Sequence, residues 1–447
     1  MNFLDKLVIP LSPEHIVLLH YIAMLILFLF IPYTSMVLGG IVLSLIYKSK
    51  GLKESNHIYI RFAKDIIETV TINTSMGIVL GILTLVTSIF IFVQLFHNAN
   101  LSTVSYLIVS LLLITFGLIL IYTYRYSFSF SRLFDSIKNI HSDDDTVEEE
   151  LHRYREKSVS ISSSSGKFGL LFLFIGLWLF VAGITIAGFP AKWNSTGILS
   201  TMFSWDVLFR FASFLLGSCA FTGAVIYFKF FYWEGGKKNL DEPYSDFVKK
   251  VALSVTAIGT LLLPIFLWIN IAVLPNNALS YSVFLYSTIA LLLLFLAYHY
   301  LYVMFKTSTV KYSSYLFFTV LLTLMAIIVK DQLAMGNATI KQNEILSANF
   351  TQVMEKLTGE GNAPKVSGEA IYKNICSACH SFDHKVVGPP YEQTLPKYKG
   401  NVDKLVTFIL NPKQNNPGYP PMPNPGLNPV QARAVATYIL KEVKKYE

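Results

Sequence analysis

The sequence predicts an all-α protein in two parts, a polytopic bundle of about eight membrane-crossing helices and a small all-α domain behind it. Three observations carry this expectation. Of the 447 residues, 53% are hydrophobic and 14% charged, well outside the range of ordinary soluble domains. Eight apolar runs are each long enough for the roughly 20 helical residues that cross roughly 30 Å of hydrocarbon. From Gln332 onward Lys, Asn, Pro and Gly become frequent and no further run of about 18 apolar residues appears. The membrane part is therefore read as 1–330, a linker as 331–366 and the small domain as 367–447.

The runs fall at 16–46, 72–96, 101–124, 168–189, 206–232, 251–274, 281–305 and 314–330. The first is overlong and contains Pro32, which predicts a kink or a tilt, and the last is near the lower limit of length. Segments 47–67, 125–167, 229–250 and 306–313 hold 5, 7, 5 and 2 Lys or Arg residues, whereas the alternate segments 1–15, 97–100, 190–205 and 275–280 hold only Lys6 and Lys192. By the positive-inside rule the first set is cytoplasmic and both termini lie outside. The residues before the first run are too weakly basic, and that run too long, for a cleavable signal peptide. Segment 125–167, with 143-DDDTVEEE-150 and 158-SVSISSSSGK-167, reads as a solvated flexible loop or as a partner site with regulated serines. Its acids lack the spacing of a calcium loop.

Few polar residues interrupt the runs. Arg210 could face an anionic lipid, a quinone head group or a partner's carboxylate, or snorkel to the interface, with Asp206 one turn earlier as its ion partner. Glycines at 176, 183, 188, 217, 223 and 259 suit close helix packing, and Cys219 suits a small packed position. After the last run, 340-IKQNEILSANFTQVMEKL-357 has the apolar spacing of an amphipathic helix, and 358-TGEGNAPKVSG-368 reads as a flexible hinge or as a frayed link to a docked domain.

The small domain carries the chemistry. In 375-ICSACHSF-382, Cys376 and Cys379 stand three apart on one helical turn with His380 beside them, a C-x-x-C-H spacing that lets two thiols add to the vinyl groups of one haem while the imidazole meets the iron. A redox pair or half a zinc site is the competing reading, but zinc needs two further ligands and the only other cysteine is Cys219. Around the motif, 368–380 forms a short amphipathic helix, 386-VVGPPY-391 a turn, 402–412 a helix ended by Pro412, and 430–443 a final amphipathic helix. Downstream of the motif the other ligand types for iron are Met422 and His384. His384 is four residues from His380, too near along the chain to reach the opposite haem face, so Met422 in 419-YPPMPNPG-426 is the expected sixth ligand.

Residues 367–447 thus resemble a class I, monohaem cytochrome c through Gly368, Tyr372, Cys376, Cys379, His380, the Gly388-Pro389 turn with Tyr391, Asn411-Pro412, Met422-Pro423 and Tyr438. The resemblance implies one covalently bound haem c, a pocket including Gly388, Pro389, Tyr391 and Tyr438, and one-electron transfer at an exposed haem edge. It also implies the outer, periplasmic side of a bacterial cytoplasmic (inner) membrane, in agreement with the Lys and Arg distribution.

The membrane part more distantly resembles the first five helices of cytochrome bd oxidase subunit I, in 23-AMLILFLFIPYTSMVLG-39, 75-SMGIVLGILTL-85, 176-GLWLFVAGITIAGFPAKW-193 and 217-GSCAFTGAVI-226. The family's haem-ligating histidines are missing here: Leu27 stands where one would be, and 205–233 contains no His. His15, His20 and His97, at the outer ends of the first two runs, are the residues that could hold a b haem; the alternative is interfacial histidines, and haem b is not expected. Three readings follow. The chain is an electron-transfer subunit working with other membrane respiratory subunits and a soluble redox protein, a quinol–cytochrome c oxidoreductase or bd-like oxidase subunit with its own quinone or b-haem site, or a passive anchor. One helix would suffice as an anchor, and no convincing second cofactor site is visible, so the first is preferred. Ten Lys or Arg against six Asp or Glu in 367–447 suit an acidic partner surface, and no nucleic-acid partner is expected.

Overall fold

The structure is a computed structural model that describes residues 9–97, 99, 103–137, 145–193, 197–237, 240–357, 367–399, 401–413 and 418–445. Among the described residues there are helices and no strand. They form two compact units, Met1–Ser347 and Ala348–Glu447.

In the first unit, α1 (Pro13–Lys53) begins at Ser12, whose side chain accepts from the His15 amide, and runs unbroken through Pro32. A short amphipathic α2 (His57–Val70) follows, capped by Asn56. The next spans are α3 (Thr74–Leu95), α4 (Thr103–Ile137), α5 (Asp145–Ala187), α6 (Trp205–Phe231), α7 (Glu242–Ala272), α8 (Tyr281–Thr307) and α9 (Ser313–Ala338). Together with α1 they make eight helices long and apolar enough to cross a membrane, matching the eight runs. The chain is a multi-pass membrane protein by this measure. α3 contains a π-helical stretch, Gly77–Leu83.

Several helices run past the sequence expectation, as where α4 continues beyond 124 to Ile137. Segment 145–167, read as loop, is the first half of α5, and it is held laterally: Lys48 Nζ donates to Ser162 Oγ at 2.6 Å, and the Ser158 hydroxyl donates to the Ser127 carbonyl at 2.9 Å. α9 does not stop at 330 but continues to Ala338, so Lys330, Asp331 and Gln332 lie within it. α10 (Ile340–Leu357) is the expected amphipathic helix, whereas 358–366 of the expected hinge lie outside the described residues.

Sequential neighbours pair closely, α4 with α5, α6 with α7 and α8 with α9, and α1 packs on α6. Small residues permit this. A Cβ on Gly259 would lie 2.4 Å from the Ala220 amide nitrogen, and one on Gly176 would lie 2.8 Å from an Ile114 side-chain carbon. Buried hydroxyls cross the same seams, as where Ser110 donates to the Gly176 carbonyl at 2.8 Å.

The two ends of the bundle differ in chemistry. At the end rich in Lys and Arg, Arg61 pairs with Asp241 at 2.5 Å and Lys237 with Asp65 at 2.6 Å, while Tyr244 donates to Asp65 at 2.6 Å. At the other end amides do the joining: Asn337 donates to the Ala278 carbonyl at 3.1 Å, and Gln342 in the first turn of α10 donates to the His97 carbonyl at 2.8 Å. The alternation inferred from charge is thus reproduced, with the poorly charged connections gathered together.

In the second unit, α11 (Gly368–Ile371) passes directly into a π turn, Tyr372–Cys376. Then come α12 (Tyr391–Thr394), α13 (Val402–Leu410) and α14 (Pro429–Glu442). Asn428 caps α14 with a full capping box through Gln431. Phe382, Tyr391, Leu405, Val435 and Ile439 are among the side chains of its core.

Candidate functional site

The site is a single turn of chain set on the crossing of α11 and α14. Ser367 caps α11, and Gly368 lets α14 come so near that a Cβ would lie 2.2 Å from the Ala434 carbonyl oxygen. From there the chain turns tightly: the Cys379 and His380 amides donate to the Cys376 carbonyl at 3.2 and 2.9 Å, and the Gly388 amide donates to the Cys379 carbonyl at 2.8 Å. The turn is therefore closed at both ends by its own backbone.

His380 is fixed from three sides. Its Nδ1 is 3.0 Å from the Pro389 carbonyl oxygen. A carbonyl can only accept, so Nδ1 carries the proton and Nε2 is the nitrogen left to face outward. The ring lies flat on Tyr391, with centroids 5.0 Å apart and planes 11° from parallel. Gly388 occupies the remaining edge, where a Cβ would be 2.3 Å from the ring's Cε1. A carbonyl-oriented imidazole of this kind is suited to metal ligation, its basicity being raised by its second partner.

Cys376 and Cys379 are free thiols, both half-buried. Burial pushes the Cys376 thiol above its usual range, and the hydrogen bond with Tyr391 only partly offsets this. Burial likewise holds the Tyr391 phenol well above its usual range. Among the described residues no group of three or more His, Cys, Asp or Glu is placed to hold a metal ion. Ile375, Val386 and Val387 beside the motif are 41%, 41% and 50% exposed, apolar surface that a flat macrocycle would cover. Free thiols at vinyl spacing, an outward imidazole nitrogen and uncovered apolar side chains fit a covalently held haem.

The remaining expected residues are distributed around this centre. Pro389 supplies the orienting carbonyl and Tyr391 the stacking ring. Tyr438 lies 5.9 Å from the Tyr372 ring, which is 6.1 Å from Tyr391, so it supports the pocket through a chain of rings. Met422 is half-buried in an extended segment. That segment is tied by Asn424, which donates to the Leu410 carbonyl at 3.2 Å, and by Lys385, whose ammonium is 4.8 Å from the Tyr419 ring centre. His384 is exposed and engaged locally, with Nδ1 2.7 Å from Asp383 Oδ1 and 3.1 Å from Ser381 Oγ. Asn424 and the hydroxyl of Tyr372, which donates to the His380 carbonyl at 3.3 Å, escaped sequence reasoning. An asparagine between prolines is the signal that could have found the former.

In the bundle, His20 and His97 both meet α10: His20 Nε2 is 3.5 Å from Asn343 Nδ2, and the His97 carbonyl takes the Gln342 amide. His15 is exposed. Arg210 is not paired with Asp206, which is held by Lys192; it donates to Asp331 Oδ1 at 3.0 Å instead. Helical proximity lost here to a partner across the bundle.

Residues 363–439 match the family described as cytochrome C oxidase, cbb3-type, subunit III. The cytochrome c-551 of Azotobacter vinelandii is 33% identical over 78 residues, 17% of this chain and 95% of that protein. The cytochrome c-551 of Stutzerimonas stutzeri is 36% identical over 77 residues, 16% of this chain and 74% of the relative. No solved structure matches the chain. These likenesses concern the C-terminal unit, and the bd-like reading of the bundle receives nothing from them.

Proposed function

From the premise that the chain belongs, through its C-terminal domain, to the cytochrome c family, we propose that it relays single electrons at the outer, periplasmic face of a bacterial cytoplasmic membrane as a subunit of a larger respiratory assembly. A bound haem supplies reversible one-electron storage. Everything else is the work of the chain.

In this reading Cys376 and Cys379 would anchor the group covalently, and His380 through Nε2 and Met422 would be the residues that hold its iron. The single observation that carries it is the Nδ1 hydrogen bond from His380 to the Pro389 carbonyl, within a turn that also holds both thiols. Gly388 and Tyr391 set the ring plane, and the Asn424 tie stiffens the methionine segment. Two protein ligands would close the iron to small molecules, which suits electron relay rather than chemistry on a substrate. The excess of Lys and Arg over the domain suits a partner with an acidic docking face, and eight helices offer ample surface for membrane subunits.

The test is redox potentiometry with a pyridine haemochrome assay on the purified chain. The expected outcome is one c haem and no b haem per polypeptide. Met422→Ala should lower the potential by on the order of 100 mV, given that axial ligands set haem potentials over about 0.8 V, and should open the iron to carbon monoxide. An unchanged potential and spectrum would reject Met422 as ligand. A stoichiometric b haem would bring His15, His20 and His97 forward and make the chain a two-cofactor enzyme.

A further inference from the structure

The bundle holds a second site of a different character. α1, α5, α6, α7 and α9 surround a partly open cleft, toward the end of the bundle where the poorly charged connections lie. Its walls are mostly apolar, including Leu27, Phe180 and Phe214, but one side carries three charges. Asp331 Oδ1 receives both Arg210 at 3.0 Å and Lys330 Nζ at 2.6 Å, and the Lys330 side chain is only 1% exposed. One carboxylate thus faces two cations. The nearest further acid on α6, Asp206, is engaged by Lys192. One surplus positive charge therefore stays in a membrane-embedded cavity, an arrangement that is costly unless something in the cavity answers it.

Two further groups lack answers. Gln332 and Ser35 line the same cleft, are 4% and 1% exposed, and neither Gln332 Oε1 nor the Ser35 hydroxyl has a hydrogen-bond partner among the described residues. The cleft therefore asks for an oxygen that accepts from the cations, a hydroxyl that donates to an amide oxygen, and an apolar body. A phosphodiester group offers the first but has no O–H of its own for Gln332, so a lipid could answer only through an alcohol elsewhere in its head group, as in phosphatidylglycerol. A dihydroxyaromatic ring offers all three.

We propose that this cleft binds the head group of a quinol, with its oxygens on Lys330 and Arg210, a hydroxyl donated to Gln332 Oε1, and its ring among the apolar side chains. It follows that the site prefers quinol to quinone, because the oxidised carbonyl can still accept from Lys330 but leaves Gln332 unanswered. This inference does not rest on the relay reading, and the two fail separately.

The test is anaerobic equilibrium binding of a short-chain naphthoquinol and its naphthoquinone to the purified full chain, with thermal melting and the haem spectrum followed alongside. Quinol should bind about tenfold tighter than quinone, the ratio expected for one buried hydrogen bond. Gln332→Leu should bring quinol down to the affinity of quinone and leave quinone unchanged. Lys330→Met should weaken both about tenfold or more while the ligand-free protein melts no lower than wild type, because Arg210 and Asp331 remain as a neutral pair. A purely structural lysine would instead lower the melting temperature without touching affinity. Absence of binding to wild type, equal binding by Lys330→Met, or a stoichiometric phosphatidylglycerol that co-purifies with wild type and is lost from Lys330→Met would each overturn the proposal, the last by assigning the cleft to a lipid head group.

Discussion

The two units treat buried polar groups in opposite ways. Around His380 each is answered locally: carbonyls of Cys376 and Cys379 close the turn, Pro389 takes the imidazole proton, and Tyr372 reaches the next carbonyl, all within 20 residues of chain. In the cleft of the bundle, Arg210, Lys330 and Asp331 come from two distant helices and still leave a charge and two hydrogen-bonding atoms unanswered. The contrast teaches that a site for a covalently attached group can be complete in its own chain, because the attachment chemistry is written into adjacent residues. A site for a diffusing ligand keeps its groups unsatisfied, because the ligand must supply the missing partners.

The comparison can be broken most severely at the thiols. Replacing Cys376 and Cys379 together by Ala should abolish covalent haem while the bundle keeps its helical signal; a denatured sample that still carries haem would refute the attachment. Next comes Asp331→Asn, which leaves two cations facing each other in the cleft. The expected loss is about 3–5 kcal/mol of stability, measured as a large drop in melting temperature, against none for Lys330→Met. That opposition of signs within one ion cluster is what sets the surplus cation apart from an ordinary salt bridge.

Gly388→Ala tests how tightly the local site is built. With a Cβ placed 2.3 Å from the His380 ring, the imidazole must turn or the backbone must move, at a cost of about 1–3 kcal/mol. An altered haem potential is expected, and a wild-type potential and melting point would show that the ring is not so confined. The mildest effect belongs to Asp383, whose carboxyl is held below its usual range first by the Ser381 hydroxyl and then by His384. Its contribution is present above the unfolded carboxyl pKa of about 4 and is lost as pH falls through the depressed folded value. Asp383→Asn should therefore differ from wild type in stability only slightly, and the difference should vanish in acid; a difference that grew there would reverse the assigned sign. The residue is exposed, so solvent screens the effect.

Much of this was legible in the residues. Eight runs of hydropathy became eight long helices, and the C-x-x-C-H spacing led to a turn with both thiols and the imidazole together. The failures share a cause. Segment 145–167 was read as loop because it is polar, yet a polar face is compatible with a helix that leans on its neighbours through Ser158 and Ser162. The last run was ended at 330 because Lys, Asn, Pro and Gly become frequent from Gln332 onward, although α9 continues to Ala338.

By itself, then, the sequence determined the long apolar helices, the alternation of charged and poorly charged connections and the C-x-x-C-H motif on which the proposed haem attachment rests, because apolar length, charge bias and ligand spacing are properties of neighbouring residues. Only the tertiary structure decided that Arg210 takes Asp331 rather than Asp206, that Lys330 is buried beside them, and that Gln332 and Ser35 line the same cleft. Which charges share a low-dielectric cavity depends on how five helices pack, and residues more than 100 positions apart meet there with no local pattern to announce it.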